Sequence, residues 1–166
     1  MHLIKRVLPL LVVVVCSCTL PQYIWPQKDV GFHEINLSDL DKRVLIASRD
    51  SEFKRAVIDR ILIEFQDQPV YLKIIGIADL PKEDATRYST VVLINTCMAW
   101  TIDTTVAQFI DKYGQLDSII VLTTSDSGNV LPDLENRKID AMSSASTLAD
   151  ADPLANEIIG RIKKYL

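Results

Sequence analysis

Four polar residues separate an apolar run from an amphipathic stretch in VLIASRDSEFKRAV. They are Ser48, Arg49, Asp50 and Ser51. A strand, a short polar loop and a helix in this order often hold a phosphate, because the first helical amides are free to donate hydrogen bonds at the positive end of the helix dipole. However, Asp50 and Glu52 bring negative charge to that end, and Asp50 is also a suitable N-cap. Two interpretations stay open: a phosphate loop into which Arg49, Lys54 or Arg55 turns, and an ordinary capped helix start.

Two further loops carry aromatic or polar side chains directly after apolar runs. Trp100 offers a flat, electron-rich face that stacks on a planar ligand or covers the edge of the sheet. Cys97 fits a small core residue better than a redox thiol, since nothing in the sequence activates it. The hydroxyls and carboxylate of the later loop suit the polar edge of a ligand, and equally a polar turn. The candidate side chains of these two loops are Thr96, Cys97, Trp100, Thr124, Ser125 and Asp126.

These loops follow apolar runs that predict five strands, at residues 43–47, 70–77, 90–96, 118–124 and 138–144. Runs of Val, Ile and Leu without alternation indicate strands buried on both faces, and therefore a parallel sheet covered by helices. Helical periods lie between the runs, the clearest with Phe53, Val57, Ile61 and Phe65 on one stripe. The sequence predicts an α/β domain over residues 43–166, with its ligand site at the carboxyl ends of the strands.

At this point the chain resembles the flavodoxin-like family. The resemblance rests on the strand-loop-helix start, on NTCMAW and TTSDSGN after two strands, and on the terminal helix. It implies a five-stranded parallel sheet of order 2-1-3-4-5, sandwiched by helices. It also implies non-covalent FMN, with the phosphate in the loop 48–51, Trp100 against the ring, and the other candidates around it. The implied function is an FMN-binding electron carrier; the alternative is a non-flavin module that binds a ligand or protein without catalysis.

A second motif bears on the same cofactor. The stretch from Asp140 to Ser146, DAMSSAS, resembles the sequence that flavin transferases read when they attach FMN through a phosphoester, with Ser146 as the acceptor. Ser144 and Ser146 replace the Gly and Thr of that motif. An edge strand followed by a Ser-rich turn accounts for the same residues.

The N-terminus carries a targeting pattern. Lys5 and Arg6 precede about ten apolar residues, too few to span a bilayer, which needs about 20. The residues that follow, Val15-Cys16-Ser17-Cys18, resemble the bacterial lipobox, in which the final Cys is acylated. The predicted organisation is a lipoprotein signal peptide over residues 1–17, a lipid-anchored tether over 18–42 that begins at the acylated Cys18, and then the domain. A plain secretory signal or membrane anchor is the alternative.

Charge and composition limit the partners. A net charge of −4 argues against nucleic acid, so the membrane partner is reached through the lipid alone. His2 lies in the signal and His33 in the tether, and the sequence lacks zinc spacing, a P-loop and GxGxxG, so no catalytic or metal-binding residues are predicted. The predicted location is the bacterial cell envelope on the periplasmic side, where a redox or envelope protein is the remaining partner. Thr19 favours the outer membrane if the source has one.

Overall fold

The fold centres on a sheet whose buried strands are parallel. The structure, a computed structural model, describes residues 27–98, 101–131 and 139–166. Within these ranges it contains six strands: β1 (His33–Ile35), β2 (Arg43–Ser48), β3 (Tyr71–Gly76), β4 (Thr90–Thr96), β5 (Ile119–Thr124) and β6 (Asp140–Ser144). The sheet order is β1-β3-β2-β4-β5-β6, and β2 to β6 are mutually parallel. Their order matches the predicted 2-1-3-4-5.

Helices cover both faces of this sheet. Helices α1 (Glu52–Phe65) and α3 (Ala151–Ile162) share one face, while α2 (Thr104–Tyr113) and the 3₁₀ helix Ile77–Lys82 cover the other. The predicted stripe of α1 is buried throughout, from Phe53 to Phe65. In β4, Val92 and Ile94 face α1 and α3, whereas Val91 and Leu93 face α2. Strands buried on both faces explain the unbroken apolar runs, and the predicted α/β sandwich is confirmed.

The strand count needs a correction, because β1 is an additional edge strand that pairs antiparallel with β3. It comes from the segment interpreted as tether. Three residues are too few for an apolar pattern. Backbone pairing with β3, a hydrogen bond from the Tyr71 hydroxyl to Glu34 and packing of Ile35 against the core hold them. Asn36, at a positive φ of 64°, adds side-chain hydrogen bonds to the carbonyls of Phe65, Gln68 and Val70. Tertiary contacts of this kind, to residues 29 to 34 positions away, leave no signal in sequence periodicity.

Several predicted features lie outside the described residues. They are the signal peptide, Cys18, the first part of the tether and Trp100. Across the ranges that the structure does describe, no helix combines the length and apolar character needed to cross a bilayer.

Candidate functional site

The loop after β2 is held by Ser51. Its hydroxyl accepts a hydrogen bond from the Lys54 amide at 3.2 Å, which makes Ser51 the N-cap of α1. The expectation that Asp50 caps this helix is therefore wrong. Asp50 instead pairs with Arg55, because an aspartate one residue before the cap reaches along the helix surface more easily than back to the first amides. The amide of Asp50 donates to the Lys28 carbonyl at 2.7 Å.

Arg49 turns inward and links three distant segments. Its Nη1 lies 2.8 Å from Asp29 Oδ1, and its Nε and Nη2 donate to Asp103 Oδ2 at 2.9 and 2.6 Å. Asp103 also caps α2 by accepting from the Thr105 amide at 2.9 Å. We call Asp29, Arg49 and Asp103 the Arg49 cluster. It fastens the carboxyl end of β2 to the start of α2 and to the N-terminal segment.

The N-terminal segment crosses the carboxyl ends of β2 and β3, and we call residues 28–30 the strap. Val30 donates to the Ser48 carbonyl at 3.4 Å, and the Asp29 carboxylate accepts from the amides of Ile77 and Ala78 at 3.0 and 3.1 Å. Gly76 allows this approach, since a Cβ there would lie 2.5 Å from the Asp29 Cβ. The strap therefore packs directly on the end of β3.

Lys54 is a buried cation beside the same loop. Only 2% of the residue is exposed, and its ammonium donates to Thr96 Oγ1 at 2.5 Å. Burial, reinforced by repulsion from Arg49, lowers its pKa to about 8, while Asp103 and Asp50 partly offset the change. Lys54 thus places a positive charge between α1 and the carboxyl end of β4, where the strand order reverses and ligands of such sheets bind.

A cavity of about 620 Å³ opens beside this point, at the carboxyl ends of β4, β5 and β6. That volume lies within the roughly 300–1,000 Å³ of small-molecule sites. Its lining residues are Thr96, Cys97, Thr124, Ser125, Asp126, Ser127, Asn129, Val130, Ala145 and Ser146. Five of the predicted ring-side residues and Ser146 therefore share one cavity, whereas the residues of loop 48–51 are not among its lining.

Hydrogen bonds fix the wall of this cavity. Ser125 donates from its amide to the Ser144 carbonyl at 3.0 Å, and Ser143 Oγ donates to the Gly128 carbonyl at 2.7 Å. Gly128 has a φ of 69°, and a Cβ there would lie 2.7 Å from the Ala145 amide nitrogen. Ser146 also holds a positive φ, of 60°. The wall is therefore held by hydrogen bonds between the loop and the neighbouring strand, with Gly128 and Ser146 in left-handed backbone conformations at its rim.

Comparison with solved structures supports the architecture. Two single-site mutants of a flavo di-iron protein from Thermotoga maritima superpose with TM-scores of 0.52 and 0.53 at 11% and 10% identity. Each match covers 75% of this chain and about a third of the other, 36% and 35%. A flavodoxin from the domain Archaea matches with a TM-score of 0.48 and 10% identity, over 73% of this chain and 99% of that one. No protein-family model and no curated protein matches the sequence. The fold is flavodoxin-like.

The flavodoxin-like resemblance implies FMN. The residues expected around the flavin ring and those expected around the phosphate differ in how well they suit this cofactor. The cavity has hydroxyls on Thr96, Thr124 and Ser125. The Thr124 hydroxyl donates to the Asn95 carbonyl and can still accept, whereas those of Thr96 and Ser125 accept from Lys54 and from the Gly128 amide and can donate to the edge of a flat heterocycle. The loop 48–51 does not fit a phosphate. The Ser48 hydroxyl donates to the Arg49 carbonyl at 2.7 Å, Ser51 caps α1, and the Asp50 amide is bound by the strap. The cavity lining is compatible with a flavin ring, whereas at the phosphate position the Ser48 hydroxyl and the Asp50 amide already bond within the chain.

The sequence did not identify three residues that shape this site. Asp29 lies in a segment without periodicity, and no sequence signal pairs it with Arg49. Asp103 precedes two threonines at a helix start, which is an N-cap signal. The sequence leaves Lys54 as one of three cations that could turn inward, and its sequence neighbours do not reveal that it reaches β4. Trp100 lies outside the described residues, so its role against the ring stays a prediction.

Proposed function

We propose that this protein is a membrane-anchored lipoprotein that holds a flavin ring in the cavity at the ends of β4, β5 and β6 and carries electrons outside the cytoplasm. The proposal rests on the cavity. It gathers Thr96, Cys97, Thr124, Ser125 and Asp126, which the flavodoxin-like resemblance placed around the ring. A flavin supplies the redox chemistry, and the chain supplies binding and orientation.

The lining supports orientation of a flat, polar-edged ring. The exposed Asp126 carboxylate can accept hydrogen bonds, and neighbouring hydroxyls can donate or accept them. Val130 and Ala145 add apolar surface on the same wall. Lipid attachment at Cys18 is supported by the sequence pattern, and it would keep such a carrier at the membrane surface.

A cavity-filling substitution tests this proposal. The purified protein is titrated into riboflavin and FMN while flavin fluorescence and the visible spectrum are recorded. Wild type is expected to quench the fluorescence, and Val130→Trp to abolish quenching because indole fills the cavity. The matched control, Ile63→Trp, adds the same side chain at an exposed position of α1 outside the cavity lining and is expected to bind like wild type. A wild type that quenches neither flavin contradicts the proposal.

A second candidate is a non-flavin module that binds a ligand or protein without catalysis. The Arg49 cluster favours this candidate. If the loop 48–51 cannot bind the phosphate, FMN is held by its ring alone. A thermal-shift series separates the two, because a ligand that binds the folded state raises the melting temperature in proportion to RT ln(1 + [L]/Kd). If the second candidate is correct, neither riboflavin nor FMN changes the melting temperature.

A further inference from the structure

We infer that the cavity takes a flavin-class ligand without a bound phosphate, of the riboflavin type, because the Arg49 cluster and Ser51 occupy the phosphate position. This inference rests on the proposed function and deepens it by naming the ligand class. Its starting point is a set of committed donors. A phosphate in a loop of this kind needs free amides and hydroxyls. Here the Ser48 hydroxyl and the Asp50 amide donate to carbonyls within the chain, and the Ser51 hydroxyl accepts from the Lys54 amide as the cap of α1.

Charge at the loop points in the same direction. Arg49 has two carboxylates within 2.8 Å of its nitrogens, so the cluster carries a net negative charge. Glu52 occupies the first turn of α1, and Asp50 pairs with Arg55. A phosphate dianion placed there would be repelled by these carboxylates. The guanidinium already makes the charge-assisted hydrogen bonds that a phosphate would otherwise receive.

Lys54 does not reverse this conclusion. Its ammonium is buried against the Thr96 hydroxyl, and Lys54 is not among the residues that line the cavity. Reaching a ligand in the cavity would require it to break that bond. Among the residues that the structure describes, the cavity is therefore lined by hydroxyls, an amide and a carboxylate and by no cation; these groups belong to Thr96, Thr124, Ser125, Ser127, Ser146, Asn129 and Asp126. A neutral polar ring matches this lining, and a phosphorylated tail gains nothing from it.

The test compares riboflavin with FMN on wild type. Fluorescence titration is expected to give dissociation constants within about threefold of each other, a difference below 1 kcal/mol. FMN binding about tenfold or more tightly than riboflavin overturns the inference. If neither flavin binds, the proposed function fails, and inorganic phosphate alone then decides the inference. Calorimetric titration with phosphate is expected to show no saturable heat, and saturable binding overturns the inference whatever the flavins do.

A variant in which Arg49 loses its carboxylate partners tests the inference from the opposite direction. In Asp29→Asn combined with Asp103→Asn, the guanidinium loses both carboxylates, and FMN is expected to gain about fivefold or more over riboflavin. Asp79→Asn, which removes one carboxylate of an exposed pair with Lys82, is the control for altered net charge and is expected to leave the ratio unchanged. An unchanged ratio in a folded double variant contradicts the inference. If the double variant does not fold, the wild-type titrations decide alone.

Discussion

Arg49 connects residues that are 20 and 54 positions away from it in the sequence, at Asp29 and Asp103. Its side chain is only 17% exposed, and the two carboxylates are 24% and 12% exposed. At this depth the three charges depend on one another, because removing the cation leaves two carboxylates close together. The loop is thus fixed by a charge arrangement in addition to the Ser51 cap.

Replacing Arg49 tests this arrangement. Arg49→Met is expected to lower the free energy of unfolding by at least about 2 kcal/mol, since each hydrogen bond to a charged group contributes roughly 1.5–3 kcal/mol. Arg55→Met removes the partner of Asp50 at a site where the arginine side chain is 55% exposed, and is expected to cost less than about 1 kcal/mol. Urea unfolding of both variants measures the difference. Equal losses in the free energy of unfolding would contradict the expectation that the Arg49 cluster stabilises the fold more than the exposed Asp50–Arg55 pair does.

Lys54 gives the protein a pH dependence at alkaline values. Burial lowers the pKa of Lys54 from 10.5 to about 8 in the folded chain. Between these two pH values, the folded chain has released a proton that the unfolded chain still binds. Wild-type stability contributed by this residue is therefore expected to rise as pH increases from about 8 to 10.5. Below pH 8 both states are protonated, and the full cost of burying the ammonium is present.

Lys54→Met removes that cost. The variant is expected to be more stable than wild type at pH 7 by about 1–3 kcal/mol, at roughly 1.4 kcal/mol per pKa unit, and the advantage should shrink by pH 10. Urea unfolding at pH 7 and pH 10 measures both gaps. Lys82→Met, at an exposed lysine, is the control and is expected to leave the wild-type difference between the two pH values unchanged. An advantage that is constant across pH would contradict the assignment to Lys54.

Elements with long apolar runs were predictable, and short or unpatterned ones were not. The stripe from Phe53 to Phe65 was recognised because four buried residues share one helical face. In contrast, β1 has three residues, of which His33 and Glu34 are exposed, so neither alternation nor a run announces it. Its position depends on Asn36 and on the strap, which are tertiary contacts.

The strap can approach β3 closely because residue 76 is a glycine, which has no side chain. Gly76→Ala is expected to lower the free energy of unfolding by about 1–3 kcal/mol, because the new methyl would overlap the Asp29 side chain and displace the strap. Gly160→Ala, in α3 with no atom within 4 Å of the added Cβ, is the matched control and is expected to gain up to about 1 kcal/mol. Thermal unfolding measures both. A neutral Gly76→Ala would mean that the strap yields without cost.

At the level of the whole molecule, the sequence predicted a parallel sheet covered by helices, because doubly covered strands and βαβ connections leave few topologies. The strand order came from the flavodoxin-like resemblance, and a ligand site at the carboxyl ends of the strands stays a prediction. The state of the loop after β2 could not be predicted, because it depends on whether Asp29 and Asp103 reach Arg49 from distant segments. Ser48 and Ser51 look the same in sequence whether they hold a phosphate or their own backbone.

Membrane attachment is a prediction about the full chain. In a bacterial host fed labelled palmitate, the protein is expected to take up label and to sediment with membranes, because acyl chains on Cys18 supply the anchoring energy. Cys18→Ser is expected to lose the label, and Cys97→Ser to keep it, since Cys97 lies in the domain. Label that persists in Cys18→Ser would contradict acylation at this position.

The strap and β1 change where this chain should be cut. A shortened protein starting at Arg43, the first residue of β2, would lack Asp29 and Asn36. Arg49 would keep Asp103 alone, the amides of Ile77 and Ala78 would lose their acceptor, and the carbonyls of Phe65, Gln68 and Val70 would lose a donor. The outer edge of β3 would stand open to pairing with another chain, a recognised route to aggregation. A recombinant fragment intended for ligand assays should therefore retain residues 27–42.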